Sequence, residues 1–330
     1  MCFIPMNKIV YFHRNIEAGY SINKVTQTII SGFKNKVEYF LPCVGGSLFV
    51  VCNNLLYVYK HRDKNAINHV TGDVQYAILA LIGCKSVLTV HDTVSLEFNK
   101  MNPFKKMLFE WIWYRLPLMI ATKVVCISEA TKRCVKKYTT RKDIVVIHNA
   151  IDPSFHTIDK ARIRAVPKIL LIGTSPNKNL KRTFEALKGI ECELMIVGRP
   201  SEDVLFYLRE NKFQYNVKTG LTDEQIVKEY ADADIVSFIS LFEGFGMIII
   251  EANKVGRPVI CSNIPVLKEV AGDAALFVNP VDIESMRNGF KTLFEDAELR
   301  RSLVNKGYEN VKRFAVDNIL NQWKELYHSI

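Results

Sequence analysis

Apolar positions along this 330-residue chain follow two alternating periods. Short runs rich in β-branched and aromatic residues predict strands, and longer runs with apolar residues three or four positions apart predict helices. The predicted strands of the first half are Lys8–His13, Val37–Leu41, Ala66–Val70, Ser86–Val90, Lys123–Ile127 and Ile144–Ile147. Predicted helices separate them at Tyr20–Phe33, Leu48–Lys60, Asp73–Leu81, Pro103 to about Leu118, and from Glu129. This alternation predicts an α/β fold whose parallel sheet carries helices on both faces.

The same alternation starts again in the second half of the chain. Its predicted strands are Lys168–Ile172, Glu193–Val197, Asn216–Thr219, Ile235–Ile239, Pro258–Cys261 and Ala275–Val278, with helices starting at Asn179, Glu202, Asp223 and Gly246. Turn residues and charges replace the pattern between residues 152 and 166, so we predict two doubly wound domains, residues 1–152 and 153–315. The amphipathic segment Val316–Ile330 is predicted to pack back onto the first domain.

Length and composition fit two folded domains. A chain of 330 residues exceeds what one core usually organises, and 48% hydrophobic with 24% charged residues excludes a disordered chain. The longest uncharged window, residues 39–59, contains proline, glycine and asparagine, so it predicts a strand, a turn and a buried helix rather than a membrane span. No leader pattern is seen, so a cytoplasmic location is expected. The eight cysteines lack metal-site spacing and predict buried free thiols.

The positive charge is concentrated in the first half of the chain. Residues 1–150 hold 20 Lys and Arg against 9 Asp and Glu, whereas residues 151–330 hold 24 against 25. The first half is therefore expected to meet an anionic partner, either a phosphorylated substrate, a membrane surface or nucleic acid. No recognised nucleic-acid-binding module is present, so nucleic acid is not expected.

One segment of this basic half mixes cations with aromatic residues. Pro103–Pro117 contains Lys105 and Lys106 beside Trp111 and Trp113. One interpretation is a helix packed on the sheet. The other is a peripheral contact with an anionic membrane, at the inner face of the plasma membrane.

The densest chemical signal begins at Glu243, directly after a predicted strand. Gly244 and Gly246 form a turn with Phe245, and the helix that follows carries Glu251 two turns later. Glycine allows a close backbone approach to a ligand, and the N-terminus of a helix attracts phosphate. Two carboxylates flank this phosphate site, and carboxylates suit sugar hydroxyls. The segment therefore predicts a site for a molecule that carries both phosphate and sugar.

The segment Ser240–Glu251 closely resembles the E-x7-E signature of the retaining glycosyltransferases of family four. Lys178-Asn179-Leu180 is similar to the phosphate-binding element of that family, and Leu194–Gly198 to its next strand. Thr89-Val-His-Asp92 and His148–Asp152 are similar to family segments at the first domain and at the domain boundary. The resemblance implies the GT-B fold, in which two Rossmann-like domains face each other across a cleft. Residues 1–152 would bind the acceptor and residues 153–315 the nucleotide sugar.

The resemblance also implies roles for individual residues. Glu251 would bind the ribose of the nucleotide, and Glu243 would contact hydroxyls of the transferred sugar. Lys178 would neutralise the leaving diphosphate, and His91 would contact the donor sugar from the first domain. Gly19 matches a glycine at the junction of donor and acceptor.

The remaining donor contacts lie in the turn between the two acids and at one departure from the family. The turn residues Gly244, Phe245 and Gly246 would hold the diphosphate, the last two through their backbone amides. Many relatives carry an arginine where this chain has Thr174. Arg199 is the favoured replacement cation; Arg14 and Arg182 are the alternatives.

The implied reaction is the transfer of a hexose from a nucleotide-diphosphate sugar to a hydroxyl of a glycan acceptor, with retention of anomeric configuration. The expected setting is bacterial surface polysaccharide or lipopolysaccharide assembly, with an acceptor that is free or lipid-linked. The resemblance implies no cofactor and no catalytic metal. Asp232-Ala-Asp234 has the form of the metal-binding motif of another transferase class, but it precedes an apolar strand, where aspartate more often ends or caps a helix. Two alternatives stay open: a binding protein that has lost turnover, and a nucleotide-sugar epimerase or phosphorylase on the same fold.

Overall fold

The computed structural model describes residues 8–18, 20–93, 102–160 and 163–330. These residues divide into two compact units. The first contains the chain up to Ala150 together with Val316–Ile330, and the second is Ile151–Ala315. Each unit is built around its own parallel six-stranded sheet.

The sheet of the first unit has the strand order β2-β1-β3-β4-β5-β6. Its strands are Ile9–His13, Lys36–Phe40, Ile67–Val70, Ser86–Val90, Lys123–Cys126 and Val145–Val146. The helices in this part of the chain are α1 (Tyr20–Ile30), α2 (Leu48–His61), α3 (Pro103–Glu110), α4 (Leu116–Ile120) and α5 (Glu129–Val135). Strand β1 lies between β2 and β3 and pairs in parallel with both. The chain therefore adds strands first on one side of β1 and then on the other. The carboxyl ends of β1 and β3 are therefore the switch point of this sheet, where open α/β sheets bind ligands.

The sheet of the second unit has the order β12-β11-β10-β7-β8-β9. Its strands β7 to β12 are Lys168–Ile172, Glu193–Val197, Gln214–Lys218, Ile235–Phe238, Val259–Ser262 and Leu276–Val278. Its helices are α6 (Leu180–Leu187), α7 (Glu202–Glu210), α8 (Asp223–Asp232), α9 (Met247–Val255), α10 (Pro265–Ala271), α11 (Ile283–Glu295) and α12 (Ala297–Val311). The switch point of this sheet lies between β7 and β10, which pair in parallel. The predicted doubly wound α/β architecture is confirmed in both units.

Alternation along the strands explains why helices cover both faces of each sheet. In β1, Val10 and Phe12 belong to one buried cluster, whereas Ile9 and Tyr11 belong to another. Successive side chains of a strand point to opposite faces, so a strand that is apolar at every position must be covered twice. All five residues of β1 are buried.

The aromatic segment predicted as one helix from Pro103 to about Leu118 is interrupted in the structure. Helix α3 ends at Glu110, a π-helical turn spans Trp111–Arg115, and α4 continues to Ile120. The backbone N–H of Leu116 bonds to the carbonyl oxygen of Trp111, five residues earlier. Pro117 supplies the physical reason, since proline lacks an N–H and its ring clashes with the carbonyl four residues before it.

Three further sequence predictions need correction. The segment predicted as a helix at Asp73–Leu81 is a 3-10 helix over Gln75–Leu81. The helix predicted at residues 48–60 is present as α2, but it is buried on one face only, since Leu48 and Phe49 are 77% and 75% exposed. The cysteines are free thiols throughout the described residues, but Cys52 is exposed and only Cys126, Cys192 and Cys261 are buried.

The C-terminal helix α13 (Val316–His328) packs in the first unit. Its Trp323 and Tyr327 join the buried cluster that contains Ile9 and Tyr11. The Tyr327 hydroxyl lies 2.7 Å from Nδ1 of buried His69, whose Nε2 lies 2.7 Å from the hydroxyl of Thr89. A polar chain inside an apolar cluster thus ties the end of the sequence to strands β3 and β4.

We expect Tyr327→Phe to destabilise the protein by about 1–3 kcal/mol, because Nδ1 of His69 loses a partner in a buried site. The measurement is the midpoint and slope of urea unfolding. Tyr59→Phe is the matched control, since Tyr59 is 57% exposed. Equal unfolding free energies for the two variants would contradict a stabilising role for this hydroxyl.

Candidate functional site

The carboxyl ends of β7 and β10 carry the predicted site residues of the second unit. The strands pair through Leu170 with Val236 and Leu171 with Ser237, so their following loops start side by side. The loop after β7 leads through Gly173 to Lys178, and the loop after β10 leads through Ser240 to Glu243. Backbone hydrogen bonding joins the two loops, since the N–H of Leu241 donates to the carbonyl of Asn177 at 2.8 Å.

The predicted cation and the first predicted carboxylate are in direct contact. Nζ of Lys178 lies 2.6 Å from Oε1 of Glu243, and their side chains are only 17% and 15% exposed. Nζ also lies 4.7 Å from the ring centroid of Phe238. Gly173, at φ 89°, makes room for this arrangement, because a Cβ there would approach Cε of Lys178 to 2.8 Å. The structure therefore brings opposite charges together at the switch point of the sheet.

Asn177 is a member of this cluster that the sequence analysis did not identify. Its side-chain amide donates to the carbonyl of Phe242 at 3.0 Å and lies 3.4 Å from Oε1 of Glu243. It thereby fixes the start of the turn that carries the acid. In the sequence, only its position directly before Lys178 could have indicated that it belongs to the site.

The predicted phosphate turn lies at the N-terminus of α9. Gly246 directly precedes the helix and adopts φ 140°, a conformation that only glycine takes readily. The Phe245 side chain is buried and packs edge-on against Phe314, with ring centroids 5.7 Å apart. Gly244 lies between this anchored residue and Glu243. The turn thus places backbone N–H groups and the positive end of a helix next to the ion pair.

Glu251 lies on α9 and has a partner that the sequence analysis missed. The hydroxyl of Tyr230 donates to Oε2 of Glu251 at 2.5 Å. Tyr230 is fully buried on α8, which begins in a capping box between Thr222 and Gln225. Burial raises the pKa of Tyr230 well above its ordinary value, so the phenol stays protonated and can donate. Nothing in the sequence distinguishes this tyrosine from the other aromatic residues of the core.

Thr174 and Arg199 meet at the ends of the neighbouring strands β7 and β8. The Thr174 hydroxyl donates to the carbonyl oxygen of Arg199 at 2.8 Å. Gly198 permits this contact, because a Cβ at that position would lie 2.9 Å from Cγ2 of Thr174. Arg182 lies beside the same loop and donates to Oδ1 of Asn179 at 3.1 Å. Arg14, the remaining candidate cation, belongs to the first unit and pairs with Asp73 at 3.4 Å.

Asp232 and Asp234 form an ion network at the other end of the second sheet. Asp232 is the last residue of α8 and pairs with Arg164 and Lys168. The buried carboxylate of Asp234 lies 2.6 Å from Nζ of Lys160 and accepts from the backbone N–H of Lys168 at 2.8 Å. These carboxylates neutralise cations of the chain itself and hold the start of β7.

His91 lies at the carboxyl end of β4 in the first unit and is 7% exposed. Its Nε2 lies 2.6 Å from the carbonyl oxygen of Thr71, so this nitrogen carries a proton. Burial lowers the pKa of His91 below its ordinary value, so the ring is neutral near pH 7. The predicted Gly19 lies outside the described residues.

A second histidine joins His91 through Thr71. Nδ1 of His13, the last residue of β1, lies 2.8 Å from the hydroxyl of Thr71. Its Nε2 lies 3.3 Å from a carboxylate oxygen of Glu38. Burial lowers the pKa of His13 to about 4, although the Glu38 carboxylate opposes this change. The switch point of the first sheet therefore holds two buried, neutral imidazoles, of which the sequence analysis identified only His91.

Comparison with known proteins agrees with this geometry. The family described as "Glycosyl transferases group 1" matches residues 165–310, which include Lys178, Glu243 and Glu251. The family described as "Glycosyltransferase Family 4" matches residues 37–155, which include His91. The chain belongs to glycosyltransferase family four. The resemblance found in the sequence is thereby confirmed.

Named members of family four that resemble this chain include two O-antigen mannosyltransferases. O-antigen chain mannosyltransferase B of Escherichia coli is 31% identical over an alignment of 172 positions that covers 48% of this chain and 45% of that protein. O-antigen chain mannosyltransferase RfbU of Salmonella typhimurium is 26% identical over 71% of each chain. The matching part of this chain therefore spans less than half of mannosyltransferase B.

Solved structures confirm the predicted GT-B fold. HepE of Anabaena, solved in complex with UDP-glucose, superimposes with a TM-score of 0.81 at 16% identity, over 98% of this chain and all of that one. No helix among the described residues of this family-four protein is both long and apolar enough to cross a bilayer.

We expect the free energy of unfolding to fall as the pH is lowered from about 6.5 to about 4. In that range the unfolded state protonates His13 and the folded state does not, which costs about 3 kcal/mol for this one residue. Urea unfolding as a function of pH measures the effect, with His13→Gln as the comparison. An equally steep pH dependence in His13→Gln would show that another group is responsible.

Proposed function

We propose that this chain is a retaining glycosyltransferase that moves a hexose from a nucleotide-diphosphate sugar to a hydroxyl group of a glycan acceptor. The observation that supports this proposal most directly is that Lys178, Glu243 and the N-terminus of α9 lie together at the switch point between β7 and β10. A cation and a helix N-terminus suit a diphosphate, and a carboxylate suits sugar hydroxyls. The second unit would accordingly bind the donor, and the first the acceptor.

In this proposal the donor replaces the contact between Lys178 and Glu243. Lys178 turns to the diphosphate, and the amides of Phe245 and Gly246 bind the same group through the turn that Gly244 opens. Glu243 is then available to accept hydrogen bonds from hydroxyls of the sugar. Glu251, held by Tyr230, binds the ribose hydroxyls. Arg199 adds positive charge beside Thr174, where relatives carry an arginine.

The chemical step would break the bond between the anomeric carbon and the diphosphate oxygen, whose electron pair leaves with the diphosphate. The acceptor oxygen bonds to the same face of the anomeric carbon, and its proton passes to the departing phosphate oxygen. Lys178 and the end of α9 stabilise the negative charge that develops on the leaving group. The protein itself thus supplies positive charge, and we expect turnover to persist in the presence of a chelator.

The first unit would contribute His91 as a neutral contact to the donor sugar. Because Nε2 is bound to the Thr71 carbonyl, Nδ1 is the ring nitrogen left to accept a hydrogen bond from a hydroxyl. Near pH 7 this contact adds no positive charge next to an oxocarbenium-like sugar. Gly19 would lie at the junction of donor and acceptor, as the family resemblance implies.

The names of the relatives narrow the choice of substrates. Both compared sequences are O-antigen mannosyltransferases, and one compared structure holds UDP-glucose. We therefore propose a role in bacterial surface polysaccharide assembly in the cytoplasm. A mannose donor is the first to test, with glucose donors second.

We expect one nucleotide-diphosphate sugar from a panel of GDP-, UDP- and ADP-sugars to raise the melting temperature of the wild-type protein. A ligand that binds only the folded state stabilises it by mass action. Glu251→Ala should lose this shift. Glu224→Ala, which removes an exposed acid from the same unit, should keep it.

Tyr230→Phe refines the same measurement. It preserves ring packing against Phe155 but removes the hydrogen bond to Glu251, so nucleotide affinity should fall about fivefold and the free energy of unfolding by about 1–3 kcal/mol. Affinity is therefore measured well below the melting temperature of the variant. If no nucleotide shifts the wild type at millimolar concentration, the donor site is wrong. A donor that binds without turnover would favour a binding protein. Consumption of the donor that requires inorganic phosphate would favour a phosphorylase. Conversion of the donor sugar without any acceptor would favour an epimerase.

We expect Lys178→Met to lower kcat by about a hundredfold or more, because a pre-organised charge next to the leaving group is lost. Transfer of labelled sugar from the donor identified above to a mannan-type acceptor provides the assay. Lys181→Met is the matched control, since the Lys181 side chain is 60% exposed and lies one turn further on. An unchanged kcat in Lys178→Met would remove this residue from the chemical step.

A further inference from the structure

Helix α2 in the first unit is apolar on two opposite faces. Its inner face buries Val51, Asn54 and Val58. Its outer face exposes Leu48, Phe49, Leu56 and Tyr59, all of them more than half exposed. A helix that is apolar all round is normally buried. In the structure as described, the outer face of α2 instead forms an exposed apolar row.

Helix α3 carries a second exposed apolar row. Phe104, Met107, Leu108 and Trp111 recur at the three- and four-residue spacing of one helix face, and they are 44–70% exposed. No residue of α3 is buried. Phe109, on another side of the same helix, packs against the core of the unit. The exposed row is therefore the outer face of a helix whose inner face already has a partner.

The two rows belong to one surface of the first unit. Tyr76 lies between the helices, since its hydroxyl accepts from Asn54 of α2 at 2.7 Å and its ring centroid lies 4.7 Å from that of Trp113, just beyond α3. At the start of α2, a Cβ on Gly46 would lie 3.8 Å from the Trp113 ring. We call the outer rows of α2 and α3 together the exposed helix surface.

Cations outnumber acids on the two segments that carry the exposed helix surface. Residues 44–64 and 102–116 contain six Lys and Arg against two Asp and Glu. Both acids are already paired: Asp63 with Lys8 at 3.0 Å, and Glu110 with Arg115 at 2.6 Å. Lys105 and Lys106 stand exposed among the apolar residues of α3, and neither has a carboxylate within salt-bridge distance in the described part of the chain.

We propose that the exposed helix surface docks on an anionic lipid bilayer, with α2 and α3 lying in the interface. Aromatic and aliphatic side chains enter the acyl boundary, while Lys105, Lys106 and their neighbours contact lipid phosphates. A second copy of the chain is a poorer occupant. A symmetric dimer would place this cationic surface against itself, and like charges repel.

This inference goes beyond the proposed glycosyl transfer and is tested without nucleotide or acceptor. The full chain is sedimented with vesicles of phosphatidylcholine, with and without phosphatidylglycerol. We expect binding to the anionic vesicles only, with weakening at high salt. Failure to bind vesicles would leave the donor-site experiments untouched, and the reverse also holds.

Two sets of variants separate charge from apolar contact. Lys105→Gln with Lys106→Gln should lower partitioning about twenty-five-fold, since each lysine at an anionic surface contributes about fivefold. Phe49→Ser with Phe104→Ser should lower it about tenfold or more. The matched controls are Lys291→Gln with Lys306→Gln, and Phe206→Ser, which change exposed residues of the second unit and should change nothing. Far-UV circular dichroism checks that every variant is folded.

Three results would overturn the proposal. The first is equal sedimentation with neutral and anionic vesicles. The second is partitioning that the α2 and α3 variants leave unchanged. The third is a concentration-dependent dimer in analytical ultracentrifugation that Phe49→Ser dissociates, because the surface would then join two copies of the chain.

Discussion

Parallel pairing of β7 with β10 is the constraint on which the candidate donor site depends. Neighbouring parallel strands deliver their following loops to the same edge, and here the two strands belong to halves of the sheet that wind in opposite directions. Lys178 and Glu243 are 65 residues apart in sequence, yet this pairing brings Nζ and Oε1 to 2.6 Å. The hydrogen bonds of Asn177 to the opposite loop then hold that distance.

Such a contact is a costly way to stabilise a fold. Both side chains are largely removed from water, and the desolvation of two charges offsets much of their attraction. The second sheet does not need them for its core, which is apolar and continuous from Ile169 through Leu194 to Ile235. An ion pair at the edge of that core is better explained by a charged ligand that each partner meets separately. Asp232 and Asp234 differ from this pair, because their contacts with Lys168 join the start of β7 to the end of α8 and so hold the fold itself.

The candidate site is predictable from the sequence where one short segment contains all of the residues involved. Glu243, the glycines after it and Glu251 lie on a single strand-turn-helix unit, so their relative placement follows from local geometry. Tyr230 escaped prediction because its contact with Glu251 depends on how α8 packs beside α9, and periodicity gives only the buried face of each helix. The π-helical turn at Trp111 was not predicted for another reason. Pro117 indicates that the helix is disrupted, but packing decides whether the helix ends or bulges there. The charges at His13 and His91 likewise depend on burial that only the assembled sheet provides.

The two helical layers of the first sheet differ in how completely their apolar residues are covered. On one face, α1 meets the C-terminal helix so closely that a Cβ on Gly32 would lie 2.5 Å from a methyl carbon of Leu320. The apolar residues of that layer are covered, down to the hydroxyl of Tyr327 on His69. On the other face, α2 and α3 carry apolar rows that nothing in the described part of the first unit covers. Burial of apolar area lowers free energy wherever it occurs, so covering these rows would stabilise the protein further. The excess of six basic over two acidic residues along the same two segments favours a partner with negative charge.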